Sequence, residues 1–156
     1  MEEISGIDRE YYRKRLAEFI AEMHPQLADP GPLVELRSRQ AVEAYRTMLA
    51  RGASPLTAAA QADEILYSGL LFSRFDTLRY LLAADYPNVP DYCRRSLALE
   101  LDSHLEPLFR RYRLDDGLLE RPEYCTLLRD LKRAVAEYFD KHETTVTYRG
   151  RPGFKP

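Results

Sequence analysis

The stretch from Ile65 to Tyr86 is the longest apolar-rich run in the chain, and it is broken by one glycine, Gly69, with Ser73 four residues later. Ser73 and Asp76 stand at the spacing of a capping box, in which a hydroxyl and a carboxylate each satisfy a backbone N–H left over at a helix start. One helix is therefore expected to end near Gly69 and another to start at Ser73. Lying mid-chain, this helical hairpin is expected to act as the hub on which helices from both sides pack. Phe75 falls on the buried stripe of the second helix with Leu78, Leu81 and Leu82, whereas Phe72 falls off that stripe and is free to face the core or a partner.

The flanking segments read the same way. Asp8 can cap a helix in which Tyr12, Leu16, Phe19, Ile20 and Met23 recur at helical spacing, until His24-Pro25 stops it. Pro32 suits the first turn of a second helix, closed by Gly52, whose apolar face is Val34, Ala41, Ala44, Tyr45, Met48 and Leu49. Ser54-Pro55 is an N-cap followed by an N1 proline, and Ala58, Ala59, Ala62, Ile65 and Leu66 then share one face, small enough for close helix approach. After Pro87 and Pro90, Cys93, Leu97, Leu101, Leu105, Leu108 and Tyr112 keep a period near four, with Pro107 predicting a kink or a fresh start. Residues 113–121, containing Asp115-Asp116-Gly117, read as a surface loop. A last helix from Pro122 to about His142 presents Tyr124, Leu127, Leu128, Leu131, Val135, Tyr138 and Phe139. The fold class that follows is all-α: six or seven helices around a central helical hairpin, in a single domain over residues 1–142. Residues 143–156 form a tail with two glycines and two prolines, in which 144–148 are expected to extend against a neighbour or stay disordered.

Whole-chain properties narrow the function classes. A chain of 156 residues buries about 70% of its unfolded surface. The net charge of −2 gives the whole molecule no pull toward nucleic acid or anionic lipid. The balance is uneven, however: residues 141–156 carry four cations against Glu143, a net +3 that leaves −5 on the rest. Two cysteines, Cys93 and Cys125, fit neither a disulfide framework nor a zinc site, and both are expected to be structural thiols. With no secretory h-region at the start and no apolar run near the ~20 residues of a membrane span, a cytoplasmic location is expected.

Patterns that carry chemistry are nearly missing. There is no phosphate-cradling glycine loop, no dinucleotide fingerprint, no metalloprotease helix motif, no C-x-x-C and no nucleophile elbow. No catalytic, cofactor or metal-binding residue is assigned; Glu100 and His104 are the one helical pair with ligand spacing, and His104 reads as a flanking polar residue. Arg37 interrupts an apolar stripe, so it either snorkels to water or pairs with Asp76 or Asp85. Basic residues cluster at 13–15, 94–95, 110–113 and 132–133, near dispersed tyrosines. Arg110, Arg111 and Arg113 are the candidates for phosphate contact, although acids stand beside every cluster. A helix-turn-helix reading of the hairpin leaves only Arg74 and Arg79 on the helix that would enter a groove, against Asp76 and Asp85.

The run Leu66 to Leu78, with its Gly69-Leu70 turn and the Phe72-Ser73-Arg74-Phe75-Asp76 core, resembles a family known as domain of unknown function 1896. Tyr11-Tyr12-Arg13 and Leu105 to Tyr112 join the resemblance, which spans about residues 9–142. It implies a multihelical fold in anaerobic gut and oral bacteria, often encoded near mobile genetic elements, and it carries over no catalytic or cofactor residue. Gly69, Ser73, Phe75 and Asp76 are its structural signature. The expected function is a non-enzymatic cytoplasmic helical module that docks to another protein or to itself, with Tyr11, Arg37 and Phe72 as candidate contacts. The alternative is an accessory nucleic-acid binder that uses Arg110, Arg111, Arg113 and the basic tail.

Overall fold

The computed structural model describes residues 6–142, and the tail readings for 143–156 lie outside them. Among the described residues there are seven α-helices and one 3-10 turn, with no strand, so the all-α expectation holds. The helices are α1 (Arg9–Met23), α2 (Gly31–Ala50), α3 (Pro55–Leu66), α4 (Arg74–Asp85), α5 (Asp91–His104), α6 (Glu106–Phe109) and α7 (Glu123–Lys141); the turn η1 is Leu118–Glu120. They fall into two compact units, divided between Leu71 and Phe72.

The first unit is built on α2, which packs against both α1 and α3. Asp8 caps α1 by accepting from the Tyr11 N–H at 2.9 Å, and Ser54 caps α3 by accepting from the Thr57 N–H at 3.1 Å. The core consists of Tyr12, Leu16 and Ile20 from α1, Val34, Ala41, Val42 and Tyr45 from α2, and Ala58, Ala62 and Leu66 from α3, closed by Leu70. Ala41, Ala58 and Ala62 are completely buried, and their small side chains allow α2 and α3 to approach closely. His24 ends α1 as its C-cap. Its buried ring donates from Nε2 to the Leu70 carbonyl at 2.8 Å, tying the end of α1 to the turn that follows α3.

In the second unit α4 packs on α5, while α6 and η1 lie against α7. Phe75, Leu78 and Leu82 of α4 meet Leu97, Ala98 and Leu101 of α5 and Leu127, Leu131, Val135 and Phe139 of α7 in one core. Pro107 does what its chemistry requires: α5 stops at His104, and a four-residue helix starts afresh at Glu106. The segment 113–121, expected as plain surface loop, is pinned. Leu118 is fully buried, Asp115 accepts from the Gly117 N–H at 3.1 Å and from Arg121 Nη1 at 2.8 Å, and Arg121 Nη2 donates to the Arg113 carbonyl at 2.9 Å.

The Gly69 turn and the Ser73 start are both present. Gly69 has φ +81°, a conformation that costs an L side chain about 1 kcal/mol or more, and the Ser73 hydroxyl accepts from the Asp76 N–H at 2.8 Å. The expectation of a shared hub needs correcting in one respect. The helix before the turn contributes to the first core and the helix after it to the second. A capping box fixes where helices stop and start; it does not dictate which apolar faces they meet.

Candidate interaction surface

Phe72, a candidate contact, is only 6% exposed and sits in the second core, edge-on to Tyr124 at 6.5 Å. It precedes the N-cap, so its side chain does not follow the helical period that put it off the stripe. Arg37 neither snorkels free nor meets Asp76 or Asp85. Its Nη1 donates to the carbonyls of Ile65, Leu66 and Ser68 at 3.1, 3.4 and 2.6 Å, capping the C-terminal end of α3. Asp76 pairs with Arg79 at 3.0 Å and Asp85 with Lys132 at 3.8 Å. Of the two thiols expected to be structural, Cys93 is half-buried and Cys125 is exposed at the start of α7.

Tyr11 is partly exposed, but its ring is committed inside its own unit. The Arg15 guanidinium lies 5.2 Å from the Tyr11 ring centroid, 5.9 Å from Tyr12 and 5.7 Å from Tyr67, and it is held by Asp63 through bonds of 2.9 and 3.4 Å. Burial and the nearby Asp63 carboxylate push the Tyr12 phenol up to about 12. Burial works against the Arg15 charge, and the Asp63 bond with the surrounding phenols more than offsets it, leaving that guanidinium above its usual value.

The basic clusters do not form a bare cationic face. Arg13 meets Glu10 at 3.1 Å and Glu35 at 3.2 Å, Arg94 meets Asp91 at 3.0 Å, and Arg133 meets Asp130 at 3.8 Å. Arg110 is 3.6 Å from Glu106 and Arg113 is 3.0 Å from Asp115, whereas Arg111 is exposed with no ion pair among the described residues. Arg74, one of the two cations on the would-be groove-reading helix, is largely enclosed. It donates to Asp102 at 2.7 Å, to the Asp102 carbonyl at 3.1 Å and to Glu106 at 2.6 Å, with its guanidinium 4.7 Å from the Phe109 centroid. The Arg74 bonds hold the Glu106 carboxyl below its ordinary value.

His104 is exposed, with its ring 4.9 Å from Tyr138 and 6.0 Å from His142; His142 stacks on Tyr138 at 4.2 Å and donates from Nδ1 to the Tyr138 carbonyl at 2.9 Å. Glu100, its helical neighbour, accepts from the Tyr138 hydroxyl. Among the described residues no three His, Cys, Asp or Glu side chains converge as metal ligands, and no helix is long and apolar enough to cross a membrane.

A concave feature of the first unit lies between α2 and α3. It is an open groove of about 330 Å³ with Ala44, Met48 and Ile65 along its floor and Gln40, Glu43, Thr47, Arg51 and Gln61 along its rim. The α2 contribution runs at spacings of three and four, so the rim follows one continuous helical stripe beside the core stripe. Ala44, Met48 and Ile65 are half-buried, which leaves apolar surface open to solvent. Glu43 and Arg51 make no ion pair among the described residues. The helical period alone placed Ala44 and Met48 in the core, because it locates the apolar arc without showing how wide a neighbouring helix covers it. The rim residues carried no motif.

No curated protein matches the chain. Among solved structures it is similar to protein PG0816 from Porphyromonas gingivalis, at 28% identity and a TM-score of 0.80, over 86% of this chain and 93% of that one. The model of the domain of unknown function DUF1896 matches residues 6–144, nearly the whole length, and the chain therefore belongs to that family.

Proposed function

We propose that this protein is a non-enzymatic helical interaction module of the bacterial cytoplasm, and that it receives a helix of a protein partner in the groove between α2 and α3. The observation that carries the reading is the groove itself: an apolar floor of Ala44, Met48 and Ile65 flanked by Glu43 and Arg51, which make no ion pair among the described residues. Such a surface suits an amphipathic helix, whose apolar residues cover the floor while polar ones meet the rim. The accessory nucleic-acid alternative has less support, because Arg110 and Arg113 already face Glu106 and Asp115.

A photo-crosslinking residue at exposed Thr47, with a second chain carrying it at exposed Glu18 as control, tests the reading inside bacterial cells. Discrete protein adducts from position 47 and none from position 18 are expected. An absence of adducts at 47, or the same pattern at both positions, overturns it.

A further inference from the structure

Resting on that reading, we infer that the occupant of the groove is a second copy of this chain, docked antiparallel through α2 with Glu43 of each copy facing Arg51 of the other. The rim is charged at two points of opposite sign, Glu43 and Arg51, and Thr47 lies midway between them. Eight residues at helical rise separate the two charges by about 12 Å. A two-fold axis passing at Thr47 therefore brings each carboxylate opposite a guanidinium, twice over, as an isologous contact requires. A parallel copy would set like charges together. The floor fits the same arrangement, because exposed Thr47 and small Ala44 let the two α2 helices come close and cover Met48 and Ile65 on both sides. One helical stripe per copy is a contact below the roughly 1,200 Å² of standard interfaces, so the dimer is weak and concentration-dependent.

The test is sedimentation of the full chain over a wide concentration range, with E43R, R51E and the double swap E43R/R51E, all checked for unchanged helical circular dichroism. The wild type is expected to dimerise more weakly as salt rises, and each single reversal to loosen it about tenfold or more. The decisive signature is reciprocal. E43R and R51E, monomeric apart, associate when mixed one to one, and the double swap regains the wild-type constant. Should either reversal disturb folding, E43Q and R51Q give the same loss without the rescue. A wild type that stays monomeric while position 47 still captures a different protein overturns the self-docking and leaves the interaction module standing. A wild-type dimer indifferent to both reversals, or a mixture that fails to associate, also overturns the self-docking. A monomer with no adduct at 47 removes both.

Discussion

Arg74 shows how a single side chain can be decided by its surroundings. Asp102 is 5% exposed, and Arg74 is its charge partner at 2.7 Å. Removing the cation leaves a buried carboxylate uncompensated, so Arg74→Met is expected to destabilise the protein by about 3–5 kcal/mol, read from urea denaturation. Arg74→Met combined with Asp102→Leu should cost markedly less than the two changes added, since the orphaned charge is gone. Tyr12 gives a prediction in pH. Its phenol titrates at 10.0 in the unfolded reference and at about 12 in the fold, so the folded state holds its proton longer. The stability that Tyr12 contributes is whole below the lower value and is lost as pH climbs through the higher one. The urea midpoint should therefore fall between those values, and Tyr12→Phe should flatten that slope.

At the scale of elements, helix ends are held by identifiable groups. Arg37 supplies three donations to the carbonyls that end α3, and Arg37→Ala is expected to cost about 1.5–3 kcal/mol, with Arg37→Lys recovering only part because a point charge cannot reproduce the guanidinium's fixed fork. Gly69→Ala should cost about 1 kcal/mol through its positive φ, and Ser73→Ala about the same through loss of the α4 cap. Both are measurable as shifts in Tm. They act on neighbouring residues of one turn, so the pair need not add.

At the scale of the whole molecule, the two apolar cores share no residue among the described ones. Leu16→Ala and Leu131→Ala each remove a fully buried side chain, and each is expected to cost about 2–5 kcal/mol. Hydrogen exchange distinguishes them. Leu16→Ala should lower protection chiefly in α1, α2 and α3, and Leu131→Ala chiefly in α4, α5 and α7; uniform loss from either would contradict separate cores.

Much of this was legible in the residues alone. Helix existence followed from apolar periodicity, helix ends from Asp8, Ser54, Gly69, Ser73 and Pro107, and the family from the run around Gly69 to Asp76. These are local properties, set by backbone sterics and by hydrogen bonds between residues three or four apart, and a linear string records them fully. Which helices share a core, where Arg37 and Arg74 find their acceptors, why Phe72 turns inward, and the open floor beneath Glu43 and Arg51 depend on residues about 20 to 50 positions apart. Partners at that distance have no spacing rule, so only the tertiary packing could choose them.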